Sequence, residues 1–304
     1  MDKTVVTETW RWIQKQDMGP SPRFAFSMAY DSDSKKVILF GGASFDGRIF
    51  NDTWEWDGQL WTQVADTGPS TRGLHKMVYD SKNSKMVLFG GLDNSSYRND
   101  TWEWDGTEWT QVADTGPSPR VGHAMAYDPD NSRIVLFGGF DATSPKSDTW
   151  EWDGTEWTQF VDTGPTNRYA HSMVYNSSEK EILLFGGADT FITPAVLFGD
   201  TWKMKDNIWS KIQDMGPGPL AAADMIYDGK RVILFGGTEG TPISQNTWGW
   251  RGTLWTQHQN MGPSSRGFHS MAYDDDRNLV VLFGGINESE GFNDTWELTV
   301  RSSS

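Results

Sequence analysis

Val37-Ile-Leu-Phe-Gly-Gly42 is an apolar run closed by two glycines, and it returns at 86–91, 134–139, 182–187, 232–237 and 280–285. The second glycines fall at 42, 91, 139, 187, 237 and 285, a period of 48 to 50 residues. A fixed period of that size marks one supersecondary unit built six times. Each apolar run reads as a buried strand. The glycine pair that ends it reads as a backbone position that excludes side chains.

Working outward, one unit reads Arg72-Gly-Leu-His-Lys-Met-Val-Tyr79, a turn at 80–84, then the run 85–91. A variable stretch 92–99 follows, then Asp100-Thr-Trp-Glu-Trp-Asp-Gly106, Trp109-Thr-Gln-Val112 and Asp114-Thr-Gly-Pro-Ser-Pro119. That is four short strands, a to d, rich in aromatic and β-branched residues and punctuated by turn residues. Asp105-Gly106 marks a hairpin between c and d. No segment carries an extended 3.6-residue period, so no long helix is expected. The fold class is all-β, a six-bladed β-propeller of four-stranded antiparallel blades.

The ends settle the register. Trp61, Trp109, Trp157, Trp209 and Trp255 each mark a strand d after its own strand c, but the sixth such residue, Trp12, precedes the first strand a. The N-terminal strand is therefore expected to complete the last blade and close the ring, leaving no blade short of a strand. The expected single domain, 1–304, has blades at roughly 23–64, 72–112, 120–160, 168–212, 220–258, and 266–300 plus 10–15. Deleting residues 1–16 should open it.

Net charge is −15, which disfavours nucleic acid and anionic membranes as partners. No apolar run approaches 18 residues, so no membrane insertion is expected. No signal peptide is visible, which favours a cytoplasmic location. Zero cysteine excludes disulfides and thiolate-ligated metals. The expectation is a monomer without cofactor or metal.

The order Arg-x-x-His, apolar-Gly-Gly, Asp-Thr-Trp-x-Trp and a further Trp resembles the kelch repeat, of bacterial or archaeal type, over about residues 10 to 300. The resemblance implies a β-propeller but no single function. It also implies chemistries to check. Copper radical oxidases of similar architecture need a Tyr–Cys cross-link, and the chain has no Cys. Plant specifier proteins carry Glu-x-x-x-Asp-x-x-x-His, which is absent. Sialic acid mutarotases need an acid or base in a polar funnel, a part Asp224 could take.

Strand polarity puts the b–c and d–a loops on one face, the loop face, and the a–b and c–d turns on the other, the turn face. The b–c loops, 43–51, 92–99, 140–147, 188–199, 238–245 and 286–293, differ in length and sequence, as binding loops on a rigid scaffold do. Arg23, Arg72, Arg120, Arg168 and Arg266 begin five strands a, and the resemblance implies that such arginines can capture acidic peptides. Their structural reading, pairing with Asp52, Asp100, Asp148, Asp200 and Asp294, is the stronger one, because a residue in nearly every blade suits a scaffold better than an asymmetric ligand. His75, His123, His171 and His269 stand three residues after an Arg and lie too far apart around the ring to share a metal. The acidic turns lack the glycine and distal Glu of a calcium loop and read as Asx turns.

Blade five breaks the pattern. Leu220-Ala-Ala-Ala-Asp224 replaces the Arg and His, and Asp224 should face Lys76 across the channel, making these two the candidate catalytic residues. The preceding loop carries Phe191 and Phe198. A pocket is expected there with Phe191 and Phe198 as walls, Asp224 as its acid and Arg168 and Arg266 as flanking cations. The functional expectation is a binding module that engages a protein, peptide or small anionic ligand through the loop face. The alternative is an isomerase, mutarotase or cyclase acting at the channel mouth. The pairs Trp54/Trp56, Trp102/Trp104, Trp150/Trp152 and Trp248/Trp250 are expected to be structural, both rings of a pair lying on one face of strand c.

Overall fold

A computed structural model describes residues 7–15, 18–160, 163–190, 195–213, 216–240, 242–258 and 261–303. The strands form six antiparallel four-stranded sheets, the blades. Blade two is representative, with strands Lys76–Asp80, Lys85–Phe89, Thr101–Trp104 and Trp109–Ala113. In its register Lys76 faces Phe89, Met86 faces Trp104 and Trp104 faces Trp109. Among the described residues no helix is long and apolar enough to cross a membrane.

The glycine pair ends each strand b for a steric reason. Gly90 and Gly91 have φ of +67° and +100°. A Cβ on Gly90 would lie 2.9 Å from the Arg120 carbonyl oxygen, and one on Gly91 would lie 2.9 Å from Cβ of His75. The first contact crosses to the next blade, so these glycines set how closely blades approach.

The last blade joins both ends of the chain. The N-terminal strand Thr7–Lys15 pairs antiparallel with the final strand Thr295–Ser303, from Thr7 opposite Ser303 to Lys15 opposite Thr295. Two rings of hydrogen bonds then run around the propeller. In the outer ring the strand-d indole of each blade donates to the buried strand-c threonine of the blade before it, as in Trp109 Nε1 to Thr53 Oγ1 at 2.8 Å. Trp12 to Thr247 (3.3 Å) and Trp61 to Thr295 (2.9 Å) carry this ring across the chain termini. The inner ring is pure backbone. Ala25, Leu74, Gly122, Ala170, Ala222 and Phe268 each donate an amide to the corresponding carbonyl of the preceding blade, at 2.7–2.9 Å. All six take positive φ, between 54° and 60°, a conformation the closed circle requires at every blade.

The core lies between blades. The apolar run of strand b is buried in every blade, and its alternate side chains serve the two flanking interfaces. Tryptophan pairs pack across these interfaces, but their members differ. Trp56, Trp104, Trp152 and Trp250 are 1–2% exposed. The first members are half-buried, and Trp54, Trp102 and Trp150 donate Nε1 to their own blade's aspartate, as Trp102 does to Asp100 Oδ2 at 2.7 Å; Trp248 of blade five has no aspartate to meet. Trp104→Ala should therefore cost about 3–5 kcal/mol in denaturant unfolding. Trp102→Ala should cost less, because its ring already meets water. Equal losses at both sites would contradict this placement.

Candidate functional site

The five arginines lie 0–1% exposed at the start of the strands a. Arg72 is typical. Nη1 and Nη2 hold Asp100 as a bidentate pair at 2.7 and 2.9 Å. Nη1 also donates to the Gly90 carbonyl, Nη2 to Ser70 Oγ and Nε to the Ser70 carbonyl. All five guanidinium hydrogens are thus used inside the protein. Arg23, Arg120, Arg168 and Arg266 repeat the pattern with Asp52, Asp148, Asp200 and Asp294. Phe50, Phe198 and Phe292 cap Arg23, Arg168 and Arg266 at 4.1–4.2 Å. The arginines do not form an open ring of cations, since neither a hydrogen nor an exposed face is left for an anion.

His75, His123, His171 and His269 are 4–6% exposed, edge-on to the strand-b phenylalanine of the preceding blade, as His75 is to Phe40. Burial, with the neighbouring arginine second, pushes His75, His171 and His269 down to about 3 and His123 well below its ordinary value. They are neutral packing groups at physiological pH. The a–b turns are closed by their leading aspartate, or by Asn176 in blade four, as Asp31 Oδ1 accepts from the amides of Asp33 and Ser34. Among the described residues no cluster of His, Asp and Glu could hold a metal.

Asp224 and Lys76 do meet. They extend from opposite blades, and Lys76 Nζ lies 3.3 Å from Asp224 Oδ1. Their position in strand a, occupied elsewhere by Ser27, Ala124, Ser172 and Ser270, links neighbouring inner strands. Ser27 Oγ accepts from the Met77 amide (3.0 Å), and Ser270 Oγ from the Met28 amide (3.2 Å). Asp224 Oδ2 likewise accepts from the Met271 amide at 2.7 Å. The carboxylate therefore does a serine's work with one oxygen and reaches Lys76 with the other. The pair separates a cavity of about 80 Å³ beneath the backbone ring from one of about 440 Å³ that opens among the a–b turns.

Beside blade five the described residues expected to open a pocket are packed instead. Leu220, 2% exposed, fills the arginine's place against Phe185, Trp250 and Trp255. Ala188 and Leu197 of the long loop pack with Tyr169 and Ala221. Phe198 lies over Arg168. Phe191 lies outside the described residues.

Two substitutions escaped the sequence reading although both were visible in it. Asn246 stands where the other blades have the aspartate, so blade five lost acid and base together. Gly249 stands where blades one, two, three and six have a glutamate, Glu55, Glu103, Glu151 and Glu297, in the middle of strand c. Glu8 of the N-terminal strand supplies that missing acid, with Oε2 2.6 Å from Arg231 Nη1. A Cβ at Gly249 would come 3.1 Å from Trp10, whose ring stacks on His258 at 3.8 Å. The glycine makes room for the closing strand.

A family model described as the KLHDC2/KLHL20/DRC7 Kelch-repeats domain matches the chain twice, over residues 3–153 and 105–248. No curated protein matches the chain in sequence. With six four-stranded blades and a match across most of its length, the chain belongs to the kelch-repeat domain family.

Proposed function

We propose that the protein is a non-catalytic recognition module that engages a protein partner through its loop face. Kelch propellers are generally protein-interaction modules, and the residues at this rim support that use here. The d–a loops carry Met18 and Met261, 94% and 96% exposed, where three other blades carry Thr67, Thr115 and Thr163. Phe45 and Val196, on b–c loops of the same face, are also exposed. Methionine is flexible and polarisable, which suits an adaptable contact surface. These apolar groups sit mainly over blades five, six and one, beside exposed Asp46, Glu239, Glu288 and Glu290. The complementary partner presents an apolar anchor flanked by basic residues.

The observation that carries this reading is the near-complete solvent exposure of two rim methionines, above the 58–69% of Leu60, Ile208 and Leu254 at the c–d turns of the opposite face. An enzyme at this mouth has less support, because the histidines are sealed and neutral and the arginines are consumed. The test compares proteins cross-linked in the native host by the wild type, a Met18→Asp/Phe45→Asp/Met261→Asp variant and a turn-face control, Lys82→Asp. The control should keep the wild-type partner and the rim variant should lose it. Retention of the same partner by the rim variant would contradict the proposal.

A further inference from the structure

We propose that the turn-face chamber binds a small zwitterion with an apolar body, of the class of α-amino acids with branched aliphatic or aromatic side chains. The chamber holds about 440 Å³, within the range of about 300–1,000 Å³ typical of small-molecule sites. Its walls come from the strands a, chiefly methionine, alanine, valine, isoleucine and tyrosine, and its inner end is Lys76 with Asp224. It is a blind apolar tunnel with one ammonium and one carboxylate at its floor.

The floor is built for both signs of charge. Asp224 is 6% exposed and fixed by the Met271 amide and Ser270 hydroxyl on Oδ2, so Oδ1 is held toward the channel axis. Lys76 donates to that oxygen, and its two remaining ammonium hydrogens have no acceptor among the described residues. Scaffolding does not require a charge here, because Ser27 and Ser270 serve the equivalent amides of Met77 and Met28 without one. A single Lys and a single Asp in a six-fold position give the chamber one orientation.

Charge balance selects the ligand. A simple anion would pass a mouth lined by Asp275 in a chain of net charge −15. A simple cation would displace Lys76 from Asp224, its partner among the described residues, and leave that ammonium uncompensated. A zwitterion has no net charge to repel. Its carboxylate takes the free hydrogens of Lys76, its ammonium takes Asp224 Oδ1, and its side chain lies along the apolar walls. One ion pair becomes two.

The test is calorimetric titration of the whole chain with L-leucine and L-phenylalanine, against N-acetyl-phenylalanine, which lacks the ammonium, and phenylalaninamide, which lacks the carboxylate. Each blocked compound should bind at least about 10-fold more weakly than phenylalanine. Lys76→Met and Asp224→Asn, the latter keeping an acceptor for the Met271 amide, should each weaken phenylalanine by a similar factor. The blocked compounds decide the matter even if a variant fails to fold. No heat of binding with either amino acid at millimolar concentration would overturn the proposal, as would blocked compounds that bind as tightly as phenylalanine.

Discussion

Deleting residues 1–16 is expected to lower the thermal midpoint by on the order of 10 °C or more and to promote association of the chain. Three losses coincide. The strand Thr295–Ser303 loses its partner along its whole length and becomes an exposed edge. Trp12, 5% exposed, leaves the interface with blade five, where it meets Phe235 and donates to Thr247. Arg231, 3% exposed, keeps Asp228 but loses Glu8, and a buried charge stripped of a partner is costly. Differential scanning calorimetry measures the shift. An unchanged midpoint would refute closure of the ring through the N-terminal strand.

Asp100→Ala is expected to cost about 3–5 kcal/mol in equilibrium urea unfolding, because it strands a guanidinium that is 1% exposed. It also orphans the Trp102 indole N–H. Blade five already carries the compensated exchange, Leu220 with Asn246. Arg72→Leu combined with Asp100→Asn should therefore recover much of the loss, and a double variant no better than the single would contradict the pairing. The same pairs set an acid limit. Burial pushes Asp100, Asp148, Asp200 and Asp294 up, but the hydrogen bonds and charge of their arginines, with the indole N–H, hold each below its ordinary value. A depressed carboxyl contributes stability that is present above its unfolded value, near 4, and lost as pH falls through the folded value. Stability should accordingly drop below about pH 4, and less steeply in the double variant.

The parts that repeat were legible in the sequence for the same reason that they are structural. Six copies of the glycine pair, the Thr-Trp step of strand c and the strand-d tryptophan average out local accidents. Trp12 standing out of order revealed the closure. The meeting of Lys76 and Asp224 could be read because a six-membered ring makes blades two and five opposite. What could not be read was depth. Nothing in the letters of Arg72 says that all five of its hydrogens are taken; that depends on Ser70, Gly90 and Asp100 converging in space. That Leu220 itself is buried in the core of blades four and five was equally hidden, since the three alanines after it suggested an opening. The larger cavity lies on the turn face, away from the variable loops, because the six-membered backbone ring narrows the channel on the loop side. No sequence signal announces a ring made of main-chain amides, although Gly122 marks one of its positions.

The assignment of the loop face as the recognition surface is tested most directly by hydrogen exchange on the complex with the captured partner. Protection is expected in the d–a loops around Met18 and Met261 and in the b–c loops around Phe45 and Val196, with exchange at the a–b turns unchanged. Protection confined to those turns, around Lys82 and Asp275, with the rim still exchanging freely, would contradict it.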